Sequence, residues 1–170
     1  MMKNVIGTIC LAIAVLLGSA AISWGADFQK GLRAYENKDY ATALREWRPH
    51  AERGYRVAQH NLGLLYHFGR GVRQNDETAV KWFRLAAEQG YARAQNNLGS
   101  AYHLGRGVPK NIKTALDWFR LAAEQGHAKA QKSVSELEEK INSQTASAYA
   151  NPSVQSAGAG KCIPITRETG

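Results

Sequence analysis

The sequence predicts an all-α fold in which helix pairs stack side by side into a solenoid, behind an apolar leader and ahead of a polar tail. Three observations carry that expectation. A period of 36 residues runs through the middle of the chain. Within each period apolar residues recur at helical spacing. Between residues 27 and 141 there is no cysteine, so the units must hold together by packing alone.

The first element is a leader over 1–26. Lys3 is the only charged residue before Asp27, and a stretch from Val5 to Ile22 is apolar apart mainly from Gly7, Thr8, Gly18 and Ser19. A basic start, an apolar middle and small residues behind it describe a secretory signal peptide. Candidate cleavage points follow Ala21, Ser23, Gly25 and Ala26; small residues at −3 and −1 fit best for Ala21-Ile22-Ser23 and Ser23-Trp24-Gly25. Cleavage implies a periplasmic or secreted protein. The alternative is an uncleaved anchor in the inner membrane, the only route to membrane contact. Cys10 follows Thr8-Ile9, not the small residue a lipidation signal needs.

Composition bounds the rest. The chain has 170 residues, 44% hydrophobic and 21% charged, which excludes a wholly disordered chain and a multi-span membrane protein. The formal charge is +8, and loss of the leader with Lys3 leaves +7 and one cysteine, Cys162. A lone thiol closes no internal bridge, but it is available for an intermolecular one.

The repeat is explicit. Residues 58–93 and 94–129 align without a gap and are identical at 24 of 36 positions. Ala58, Leu62, Leu65 and Tyr66 share one helical face; Ala79, Phe83, Ala86 and Ala87 share another. Gly69-Arg70-Gly71 between them suits a chain reversal. Asn75 or Asp76 caps the second helix, with Glu77 in its first turn. Gly90 and Gly126 end helices. Gly63 and Gly99 omit a side chain where the two helices of a unit meet. The units are therefore 55–90 and 91–126.

The ends are atypical, as terminal repeats must be. Residues 27–54 form a shortened unit: Tyr35 stands 8 residues before Ala43, against 13 from Tyr66 to Ala79, so the loop has lost five residues. Phe28, Leu32 and Tyr35 pack there on Tyr40, Leu44 and Trp47. Pro49 predicts a kink or an early helix end. A capping helix over 127–142 carries the stripe Ala130, Val134, Leu137 and Ile141. After Asn142 the composition turns to Ser, Ala, Thr, Gln, Gly and Asn, so 143–170 is expected to be a disordered tail.

The pattern Ala-x3-Leu-Gly-x2-Tyr-x2-Gly-x-Gly-Val-x2-Asn-x3-Ala-x2-Trp-Phe-x2-Ala-Ala-x2-Gly stands at 58–90 and again at 94–126. It resembles the Sel-one-like repeat family, a branch of the tetratricopeptide superfamily, and the first unit is similar to a plain tetratricopeptide unit. The resemblance implies a right-handed α-solenoid acting as an adaptor or scaffold for protein complexes, with no common catalytic set. A cysteine-rich branch of that family has been linked to β-lactamase-like hydrolase activity. This chain lacks its cysteines and has no Ser-x-x-Lys pair, so that activity is not carried over.

No catalytic residue, metal ligand set or cofactor motif emerges from the residues. His67 and His103 are repeat-related, yet no Cys, Asp or Glu joins them at ligand spacing, and a solvated face is expected. The Gly-Arg-Gly loops follow no strand and lack a third glycine at the dinucleotide spacing. Gly160-Lys161 leads into Cys162, not Ser or Thr. The A helix of each unit lines the concave face of such a solenoid. The packing pattern leaves free Gln29, Arg33, His60, Leu64, His67, Asn96, Ser100 and His103, a candidate surface for a protein or peptide partner. Arg70, Arg73, Arg106 and Lys110 recur on the loops and define a basic edge. That edge suits an anionic envelope polymer: polysaccharide, peptidoglycan or lipid headgroups. Nucleic acid is not expected outside the cytoplasm.

Overall fold

The computed structural model describes residues 28–150. The expected leader, its cleavage points, Cys10 and Cys162 fall outside the described residues. Among those described there are seven helices and no strand: α1 (28–36), α2 (Tyr40–Glu52), α3 (Arg56–Phe68), α4 (Asp76–Glu88), α5 (Ala92–Leu104), α6 (Ile112–Glu124) and α7 (Ala128–Ala150). Each helix packs on the next in chain order, the contact pattern of a solenoid. None of them is long and apolar enough to cross a membrane. The odd-numbered helices open the units (A helices) and α2, α4 and α6 close them (B helices).

Caps fall where the repeat puts a short polar side chain. Asn75 accepts from Thr78 N at 2.8 Å, and Asn111 from Thr114 N at 3.0 Å. Asp39 does the same for Thr42 N at 3.1 Å, and hydrogen bonds from Thr42 hold its carboxyl below the usual range. Helices α3 and α5 end in left-handed glycines, Gly69 (φ 63°) and Gly105 (φ 69°).

Close approach of A and B helices within a unit is set by glycine. A Cβ on Gly63 would meet the Phe83 ring and one on Gly99 the Phe119 ring; Gly31 stands in the same relation to Trp47. This pairing corrects the register of the first unit. Gly31, not Tyr35, fixes it, since the close approach tolerates no shift. The loop 37–39 is then four residues shorter than 69–75, not five.

Successive units are tied by a glutamine at a fixed position. Gln59 Nε2 donates to Ala51 O (3.1 Å), Gln95 to Ala87 O (3.2 Å) and Gln131 to Ala123 O (3.3 Å). Each of these bonds adds a donor from the next unit to a B-helix-end carbonyl that also accepts from the turn glycine after it, Gly54, Gly90 or Gly126. Gln89 and Gln125 then donate to the Gln59 and Gln95 side-chain oxygens, each at 2.7 Å. A second tie joins each B helix to a residue 18 further on: Arg48 to Tyr66 (3.2 Å), Arg84 to Tyr102 (2.8 Å) and Arg120 to Glu138 (2.7 Å). In the last joint a carboxylate replaces the phenol.

Two expectations about the ends are corrected. Helix α2 does not stop early at Pro49; it runs on to Glu52, and Arg53 N donates to the Pro49 carbonyl at 3.3 Å. Proline removes one amide, and here that loss falls at an exposed position in the last turn. Helix α7 does not end at Asn142 but continues to Ala150, so 143–150 is helical. Ala146, Ala148 and Ala150 favour the helix. The Ser143 and Thr145 hydroxyls bond back to the Lys140 and Ile141 carbonyls instead of breaking it. Along α7, Ala130 and Leu137 are buried while Ile141 is exposed. The apolar stripe therefore leaves the core one turn past Leu137.

Candidate functional site

Helix A residues reach three different environments. Gln29 and Arg33 are exposed on α1. Leu64, His67 and Ser100 line one cavity of about 250 Å³ between α3, α4 and α5. His103 is half-buried but does not line it. His60 and Asn96, expected on the free surface, are buried, at 6% and 4% exposure. The reason is architectural: an A helix inside the stack packs against its own B helix and against the B helix before it, and at His60 a further side reaches Asn97 of the next A helix. A single apolar stripe does not reveal that second face.

His60 is wedged into this joint. Its ring packs on Phe83 (5.8 Å between centroids) and edge-on to Tyr91 (5.1 Å). The Asn97 amide nitrogen lies 3.1 Å from Nε2, and Asn61 Oδ1 lies 3.4 Å from Nδ1. An amide donor at Nε2 makes that nitrogen the acceptor and places the proton on Nδ1. Burial pushes the His60 pKa down to about 4, against the Asn61 hydrogen bond; nearby Arg93 adds to the depression. Asn96, one unit on, donates to Asn97 Oδ1 at 3.4 Å, but its own Oδ1 has no partner among the described residues.

The cavity has an apolar floor and a mixed rim. Val80, Phe83 and Ala101 lie beneath, and Phe68 and Leu104 flank it at 55% and 57% exposure. Sequence reasoning missed these two. The available signal was an apolar residue recurring just before the loop glycine. His67 is not simply solvated: its Nδ1 lies 2.7 Å from Asp76 Oδ1 across the loop. The Ser100 hydroxyl donates to the Asn96 carbonyl at 3.0 Å, one turn back. Among the described residues, no group of three His, Cys, Asp or Glu is placed to hold a metal ion.

The basic edge is not one row. Arg70 is drawn inward, its guanidinium 5.6 Å from the Tyr35 ring, 5.3 Å from Tyr40 and 4.9 Å from Phe68, and it donates to the Tyr35 hydroxyl. Arg73 and Lys110 are exposed on the loops. Arg106 is exposed and lines the cavity together with Lys129 of α7.

The Sel1 repeat model matches at 56–91 and 92–127, one residue later than the boundaries read from the sequence. Two solved structures are similar. A Sel1 repeat protein from Oxalobacter formigenes is 41% identical with a TM-score of 0.62, covering 65% of this chain and 45% of that one. A protective antigen of uropathogenic Escherichia coli strains, displaying an SLR fold, is 40% identical with a TM-score of 0.64, covering 69% of this chain and 27% of that one. The chain thus spans less than half the length of either. No curated protein matches it. Sel1 repeats are helical scaffolds for protein interaction. The sequence pattern, the stacked helix pairs and these likenesses agree: the chain is a helical-repeat protein carrying two Sel1 repeats.

Proposed function

We propose that this protein is an exported adaptor that holds a protein or peptide partner on its A-helix face and acts by binding, not by turnover. One observation carries the reading. Phe68 and Leu104, at the same position in successive units, stand more than half exposed on either side of a 250 Å³ cavity. Large apolar side chains kept in water around a concavity mark interaction sites. Export rests on the leader, with its basic start, apolar middle and small residues at the end.

The test is capture from envelope extract by the full chain and by a Phe68→Ser, Leu104→Ser variant. A partner recovered by the first and lost by the second supports the reading; the same partner recovered by both removes the groove from it. Mass spectrometry of the protein isolated from cells reads the mature N-terminus and tests export. The basic edge is the weaker surface for an envelope polymer, since the Arg70 guanidinium is already enclosed by aromatic rings.

A further inference from the structure

The cavity occupies the position that Arg70 and its ring cage occupy one unit earlier. The unit spacing carries Arg70 to Arg106, Tyr40 to Asp76 and Phe68 to Leu104, and the glycine register carries Tyr35 to His67. All four successors line the cavity. In the first position three aromatic rings close over the cation. In the second the cage is dismantled: the His67 ring is bonded to Asp76, Leu104 is smaller than Phe68, and Arg106 has neither ring contact nor ion pair among the described residues.

The two units are otherwise copies, and their differences gather here. Of the 12 positions at which 58–93 and 94–129 differ, six place a residue in the cavity wall: Leu64/Ser100, Leu65/Ala101, Phe68/Leu104, Asp76/Ile112, Val80/Leu116 and Arg93/Lys129. The residues that tie the units, Gln59/Gln95, and those that set the helix approach within each, Gly63/Gly99, are unchanged. The wall holds two cations, Arg106 and Lys129, neither in an ion pair among the described residues; its one carboxylate, Asp76, is engaged by His67. At about 250 Å³ the cavity falls below the roughly 300–1,000 Å³ of a small-molecule site and suits one side chain of a longer ligand.

Taking the groove as the binding surface argued above, we propose that it selects an acidic peptide segment. One bulky aliphatic or aromatic side chain enters between Phe68 and Leu104 to rest over Phe83, and a neighbouring carboxylate meets Arg106 and Lys129. The apolar pocket supplies most of the affinity and the cations supply the selectivity.

The test is fluorescence anisotropy of the full chain with labelled, C-terminally amidated nonapeptides. One carries Leu next to two Asp in a Gly-Ser background, one has Lys for both Asp, and one has Ser for Leu. A fourth has the first sequence without the Asp pair and with a free C-terminus. The expected result is binding of the first that weakens at least tenfold on replacing Asp with Lys or Leu with Ser. It weakens likewise in Arg106→Glu. The Arg106→Glu, Lys129→Glu double variant prefers the Lys peptide. Binding of the fourth as tight as the first assigns the carboxylate to a chain end instead of a side chain. Acidic and basic peptides bound equally, both lost in Phe68→Ser, overturn the acid selectivity and leave the groove standing. Binding of none of them overturns the proposal, and the capture experiment then decides the groove separately. Both cations are surface residues, and circular dichroism confirms that the variants fold.

Discussion

A Cβ placed on Gly63 falls 2.5 Å from Cδ1 of the Phe83 ring, inside any allowed contact. Gly63 lies in mid-helix, where alanine would ordinarily gain about 1 kcal/mol in helix propensity. Overpacking a full core costs about 1–3 kcal/mol, and the ring sits 4% exposed with little room to yield. Gly63→Ala should therefore destabilise the chain despite its better propensity, by about 1–2 kcal/mol in urea melts. Adding Phe83→Leu should recover part of that loss, since the two sites are in contact and not additive. A neutral or stabilising Gly63→Ala would disprove the close approach.

The glutamine ties predict an uneven response along the chain. Gln95 is buried and serves two partners, donating to Ala87 O and accepting from Gln125. Gln95→Ala removes both bonds from the joint while the Ala87 carbonyl keeps Gly90 N at 2.9 Å, so the loss is that of two hydrogen bonds at about 0.5–1.5 kcal/mol each. Gln131 makes the same bond on an exposed surface, where water replaces it. Its alanine variant should lose less than about 1 kcal/mol. Chemical denaturation of the two variants side by side reads the difference.

His60 makes stability depend on pH. Its folded pKa is about 4, below its ordinary 6.5, so the unfolded chain binds the proton more readily. The stabilisation from burying neutral His60 is complete above about pH 6.5. It falls as pH drops towards 4, by on the order of 3 kcal/mol in all. His60→Asn, the residue found one unit on, should flatten this part of the profile. Melts at pH 7 and pH 4.5 test it: the wild-type chain must lose more stability between them than the variant does.

The arginine ties should matter little. Arg84 to Tyr102 and Arg120 to Glu138 are exposed contacts, and exposed ion pairs contribute about 0–1 kcal/mol. Arg84→Ala and Arg120→Ala should each shift the denaturation midpoint by less than Gln95→Ala. The Arg120 effect should shrink further at 1 M salt. A loss above about 2 kcal/mol would mean that these residues clamp the units.

Much of the fold was legible because each signal was local and occurred twice. The caps at Asn75 and Asn111, the helix-ending glycines Gly69 and Gly105 and the small residues at 63 and 99 all act within one unit, and all are where the spacing put them. What the sequence hid depends on the neighbouring unit. His60 meets Asn97, 37 residues away, and Arg70 meets Tyr35, 35 residues away; a stripe drawn on one helix shows neither. The length of α7 was hidden differently. A Ser- and Thr-rich composition argues for a loop, but the Ser143 and Thr145 hydroxyls bond the preceding turn and alanines are interspersed among the other positions.

The clasp from Gln95 to Ala87 is the clasp from Gln59 to Ala51 moved along by one module, and it recurs at Gln131. A gene that slipped by one whole module during copying would thus encode a longer or shorter rod whose new seam is already solved. Its reach can drift over generations, while the recognition chemistry, confined to the few positions where the copies disagree, is left to change on its own.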